Sequence, residues 1–104
     1  MDTDINSLAF DWDTGNSGKN KRRHDVEDLE CEEAFFDVNK VVLDDKPHSV
    51  IENRFVLLGK TKSGRLLYVA FTIRGDKLRV ISARDIKKAK EIELYEKAAK
   101  HTGF

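Results

Sequence analysis

The stretch Gly64–Ile86, GRLLYVAFTIRGDKLRVISARDI, constrains the fold more than any other part of the chain. Apolar residues alternate at Leu67, Val69, Phe71 and Ile73, and Leu78 and Val80 resume that face beyond Gly75-Asp76. A period of two marks a half-buried strand, and a glycine that accepts positive φ between two such runs marks a two-residue hairpin turn. The turn sets the register: Arg74 opposite Lys77, Thr72 opposite Arg79, Leu67 opposite Arg84. The ribbon therefore carries a dense set of cations in Arg74, Lys77, Arg79 and Arg84. Phosphate binding would explain them, and so would charge protection of a sheet edge.

The remaining segments predict an α+β domain. Leu8 to Trp12 reads as a strand, Asp13 as a helix cap, and residues 16–24 as a short basic helix. A second helix is predicted over Asp28 to Phe36, with Cys31, Ala34 and Phe35 on one face and a solvated acidic face opposite. Strands follow at Val38–Leu43 and Phe55–Leu58, separated by a loop over residues 44–52. A turn at Lys62-Ser63-Gly64 leads into the hairpin. The last helix, Asp85 to Lys100, places Ile86, Ala89, Ile92, Tyr95 and Ala99 on one stripe and leaves Glu91 exposed. Without a repeating βα unit, this order predicts an antiparallel sheet with two N-terminal helices and one C-terminal helix, the helices on one side. Residues 1–104 form one domain, with 1–7 and 101–104 as flexible tails. Phe10, Trp12, Phe35 and Phe36 are expected in the core, while Tyr68 shares a face with Thr72 and Arg79 and is available to stack on a base.

The charge balances, with 19 basic and 19 acidic residues, so no net field draws the chain to nucleic acid or membrane. The distribution is uneven: Lys19 to His24 reads KNKRRH, and carboxylates crowd residues 25–33. The single cysteine, Cys31, permits neither an internal disulfide nor a thiolate zinc cluster. No apolar run is long enough to span a bilayer and no signal pattern opens the chain, so a cytoplasmic location is expected.

Taken in order and spacing, several short pieces resemble the BrnT family of bacterial toxins, small RelE-like ribonucleases. They are FDWDTGN (10–16), Lys19-Asn20, His24 with Val26, EEAFFD (32–37), Asn53-Arg54-Phe55, Leu58 to Thr61, Gly64-Arg65, FTIRG (71–75), RVISARD (79–85) and Tyr95-Glu96. The resemblance implies an endoribonuclease that arrests growth and a BrnA antitoxin that neutralises it. It also implies contact with DNA only through that antitoxin, in an assembly such as a hetero-tetramer. The chain departs from the family's pattern in three places. Asp25 stands where a glycine usually follows the histidine, Lys21 replaces an apolar residue, and the carboxylate of the last helix, Glu91, falls one position late.

RNA cleavage without a metal or other cofactor needs a base for the 2′-hydroxyl, an acid for the leaving oxygen, and cations for the pentavalent phosphate. Arg84, Arg79 and Arg74 are the candidates for the phosphate, with Arg54, Arg65, Lys77 and Lys88 as further RNA contacts. His24 and Glu91, together with Lys88, are the candidates for proton transfer. The competing reading is a non-catalytic relative that retains only antitoxin binding or co-repression, and the shifted carboxylate is the feature that favours it.

Overall fold

The computed structural model describes residues 5–48 and 51–102. Five strands form one sheet in the order β1-β5-β4-β3-β2. They are β1 (Ala9–Phe10), β2 (Val41–Asp44), β3 (Arg54–Lys60), β4 (Leu66–Arg74) and β5 (Lys77–Asp85). The helices are α1 (Lys19–His24), α2 (Asp28–Phe35) and α3 (Ala89–Thr102). All neighbouring strands are antiparallel except β1, which runs parallel to β5.

The hairpin turns at Gly75, where φ is 63°, and opens with the predicted pairs Arg74–Lys77 and Thr72–Arg79. It then departs from the predicted register. Phe71 pairs with Val80 but Ala70 pairs with Ser82, so Ile81 is an extra residue in β5. A bulge of this kind moves every later side chain of its strand to the opposite face. Without it, Arg84 would share the face of Leu78 and Val80, which is the core. With it, Ala83 takes the core position at 0% exposure and Arg84 lies opposite Tyr68. Leu67 faces Asp85 instead.

Helices cover both faces of the sheet, not one. Against the first face, α1 and α2 bury Val26, Cys31, Ala34 and Phe35 on Leu57, Leu67, Val69, Phe71, Leu78 and Val80. Against the second, α3 lays Tyr95, Leu94 and Ala99 over Val56, Leu58, Val41 and Leu66. On this second face α3 covers the apolar patch, and Arg54, Arg74, Arg79 and Arg84 lie on the same face beside it.

Other boundaries shift for local reasons. Asp13 caps no helix: its carboxylate accepts the Gly15 N–H, and α1 starts later, after Gly18 at φ 73°. Val38 lies outside β2 because Asp37 accepts the Asn39 and Lys40 N–H groups in a turn. Asp85 still belongs to β5, so α3 begins four residues late and Ala89 is exposed. Phe35 joins the core and Phe10 and Trp12 pack against it, but Phe36 remains 60% exposed. At the N-terminus, Ile5–Ser7 is a 3-10 turn with Ile5 packed on the core, and residues 101–102 extend α3. The rest of the predicted tails, residues 1–4 and 103–104, lies outside the described residues.

The acidic run is mostly bonded internally, contrary to the solvated face predicted for it. Asp28 accepts from Ser17 and Gly18 ahead of α1, and Glu27 with Glu30 forms a capping box. Glu32 accepts the Trp12 Nε1–H at 2.8 Å, and Glu33 accepts the Lys62 N–H. The bonds of Glu32 and Glu33 tie α2 to the segments that follow β1 and β3.

Candidate functional site

The bulge at Ile81 delivers Arg84 to the second face. There the guanidinium lies 4.0 Å from the Tyr68 ring centroid. Tyr68, read as a platform for a base, is a platform for this cation. The two terminal nitrogens of Arg84 donate to Glu91 at 3.5 and 3.3 Å, and one also donates to the Asp85 carbonyl at 3.1 Å. Glu91 is therefore not the exposed charge predicted. Its side chain is 13% exposed and points from the first turn of α3 toward the sheet. Although the carboxylate falls one position late, it reaches the arginine from the first turn of α3.

Beside this unit, a cleft of about 380 Å³ is lined by Lys21, Arg22, Arg23, His24 and Asp25 at the end of α1, by Arg84 and Asp85 at the end of β5, and by Lys87 just after it. His24 is exposed and lines the same cleft as Arg84. Lys88 is exposed and is not among the lining residues.

The other arginines stand apart. Arg54, Thr72 and Arg79 form one row across β3, β4 and β5, with Arg74 and Lys77 next to it. That row lies four positions along β4 from the Tyr68–Arg84 pair, roughly 13 Å at about 3.3 Å per residue. The expected convergence of Arg74 and Arg79 with Arg84 on one phosphate is thus not found. Each is also matched by a carboxylate. Arg79 donates twice to Asp13 at 3.0 Å and lies 3.5 Å from Asp11. Arg74 grips Glu52 at 3.1 and 3.2 Å. Hydrogen bonds from the Arg79 and Arg74 guanidiniums hold Asp13 and Glu52, respectively, below the usual carboxylate range. Both pairs lie at the surface, where solvent screening keeps such contacts weak. Arg54 and Arg74 also line a second hollow, of about 510 Å³, with Glu52, His48 and Ile51.

Arg65 has a different task. All five of its N–H groups are used within the chain. Two hold Asp85 at 2.6 and 3.0 Å, and the others reach Glu30 at 3.1 Å and the carbonyls of Asp25 and His24. It locks the end of α1 and the start of α2 to β5, with no donor left for RNA. Sequence reasoning also missed Asp37. Its carboxylate accepts from Tyr95 Oη and from the N–H groups of Lys60 and Asn39. Burial first, and then this hydrogen bond, raise the Tyr95 pKa well above the phenol range. Asp37 thereby pins α3, and Glu91 with it, to the sheet. The only available signal was the place of Asp37 in EEAFFD.

On this sheet face Arg84 rests on the Tyr68 ring, meets Glu91 and borders a cleft in which basic side chains outnumber acidic ones. The sequence model for ribonuclease toxins, BrnT, of type II toxin-antitoxin systems matches residues 12–90, and the chain belongs to that family. No curated protein matches it. The family implies an antitoxin partner. Among the described residues, no helix is long and apolar enough to cross a membrane.

Proposed function

We propose that this chain is a growth-arresting endoribonuclease that cleaves RNA by metal-independent transesterification at the Arg84–Glu91 unit. The observation that carries this reading is the placement of Arg84, which a bulged residue turns out of the core and which Tyr68 and Glu91 hold beside an open basic cleft. In the reaction, the 2′-oxygen attacks the neighbouring phosphorus and loses its proton to a base, while the departing 5′-oxygen receives one. The Glu91 carboxylate serves as the base, and Arg84 slides from it onto the developing pentavalent oxyanion, where paired N–H donors act most strongly. His24, which lines the same cleft, supplies the proton to the leaving oxygen. Arg54, Arg74, Arg79 and Lys77 hold flanking phosphates of a strand that runs along this face of the sheet. The fold is read as RelE-like and the location as cytoplasmic. The partner is read as a BrnA-like antitoxin that covers this face, mediates any DNA contact and assembles with the toxin as a hetero-tetramer.

The test is induction of the chain alone in bacteria, with cleavage of RNA by the purified protein in excess chelator. Arg84→Ala is expected to lower cleavage by at least ~10²-fold, the usual scale for losing an oxyanion donor. Its circular dichroism should stay native, and Glu91→Gln should depress activity similarly. Undiminished toxicity of Arg84→Ala would remove the assignment, and dependence of cleavage on added metal would remove the mechanism.

A further inference from the structure

The two edges of the sheet differ. At one, β1 contributes only two residues. At the other, β2 carries apolar side chains on both faces, with Val42 40% and Leu43 37% exposed, and Val38 83% exposed just before it. Edge strands are ordinarily guarded by charge, proline or a bulge, because their unpaired N–H and C=O groups invite another strand. In β2 the segment Val41-Val42-Leu43 has no such guard. Across the β2–β3 ladder the Asp45 N–H donates to Arg54 at 2.9 Å. Antiparallel alternation then turns the N–H and C=O groups of Asp44 and Val42 away from β3, to the side where no described strand pairs with them.

We infer that β2 is the dimerisation edge of this protein, and that its occupant is β2 of a second copy, paired antiparallel about Val42. The charge pattern selects this partner and this register. The segment reads Lys40-Val41-Val42-Leu43-Asp44. Turned on itself about Val42, it sets Val42 against Val42, Val41 against Leu43, and Lys40 against Asp44 on either side of the axis. An isologous contact of this kind requires a self-complementary patch, and this one is complementary in both polarity and charge. Lys40 and Asp44 form no ion pair with any described residue, so both are available. The Lys40 N–H is already taken by the Asp37 carbonyl. The junction therefore gains Val42-to-Val42 and Asp44-to-Lys40 backbone bonds, each made twice by symmetry. Val41 and Leu43 lie on the side of the sheet covered by α3, so their cross-axis pairs extend that apolar layer, while Val42 lies on the side of Leu57. The result is a continuous ten-stranded sheet. It stands independently of the nuclease reading.

Sedimentation of the full chain over a concentration series tests this. The expected species has twice the 11.9 kDa chain mass. Lys40→Asp or Asp44→Lys alone, each placing like charges across the axis, should raise the dissociation constant at least tenfold, and the double exchange should restore it. Circular dichroism of all three variants separates loss of pairing from loss of fold, and the double exchange keeps the test decisive should a single variant fold poorly. A chain that stays monomeric at about 100 μM, the range of weak association, overturns the inference. So does a dimer indifferent to the single exchanges, one not rescued by the double, or an edge that closes only on a strand of the antitoxin.

Discussion

Asp25 sits in the left-handed region, with φ 57° and ψ 38°, at the end of α1. This conformation explains the glycine usual in the family at that place, since a side chain there meets the following carbonyl. Asp tolerates it better than most residues, and here its carboxylate has a use. It pairs with Lys21 at 2.5 Å, one helical turn back, so two of the chain's departures from the family pattern answer each other. The pair is exposed and contributes little, whereas the backbone strain remains for any residue with a Cβ. Asp25→Ala is accordingly expected to be less stable than Asp25→Gly by about 1 kcal/mol in urea melts, the cost of a non-glycine residue in this region. Equal stabilities would mean that the cap carries no strain. At this scale sequence reading succeeds with side chains whose role follows from polarity, such as Cys31 and Phe35. It fails with Arg65, because nothing in a cation's identity tells whether its donors are already satisfied by Asp85, Glu30 and two carbonyls.

Elements are placed by close approaches that pattern alone reveals only in part. The hairpin, its turn and its buried face were legible because alternation and glycine act locally. The bulge was legible too, in retrospect: apolar residues at 78, 80, 81 and 83 change phase at Ile81, and that change sends Arg84 outward. The covering of the second face was harder to see, since Leu66, Tyr68, Val56 and Leu58 are apolar positions of strands whose other face is apolar as well. Packing of α2 on β3 depends on Gly59. A Cβ there would stand 2.5 Å from the Ala34 carbonyl oxygen and 3.1 Å from its carbon, both backbone atoms that cannot rotate away. Gly59→Ala must therefore lift α2 or bend β3, and it is expected to cost about 3 kcal/mol, the upper end for overpacking a core. The check is a denaturant melt alongside Gly64→Ala. Gly64 has open space around it, so only its φ of 92° is penalised there. A smaller loss at Gly59 than at Gly64 would contradict the packing.

Over the whole molecule, several acids and bases form local pairs among the described residues, and titration of these and of two buried groups shapes stability at both ends of the pH scale. On the acid side, hydrogen bonds from Arg79, Lys21 and Arg65 lower the pKa values of Asp13, Asp25 and Asp85 below the ordinary 3.8. The unfolded chain takes up those protons first as the pH falls, so stability is full above that range and declines through it. On the alkaline side the signs reverse. Burial pushes the Cys31 thiol from 9.0 up to about 12. Burial and the bond to Asp37 also keep the Tyr95 phenol protonated beyond its ordinary 10.0. The native state then holds protons that the unfolded chain releases, and stability falls as the pH rises, by up to about 1.4 kcal/mol per pH unit for each such group. A plateau is expected between the carboxylate range and pH 9, with a decline on either side. Tyr95→Phe isolates one contribution. At neutral pH it should cost about 1 kcal/mol, the net worth of one hydrogen bond, because Asp37 keeps its donors from Lys60 and Asn39. Above pH 10 its stability should fall less steeply than that of the parent, so that the two curves approach each other. Urea melts between pH 7 and 11 measure both quantities. Parallel curves would show that the phenol titrates alike folded and unfolded, and that Asp37 does not hold α3 through it.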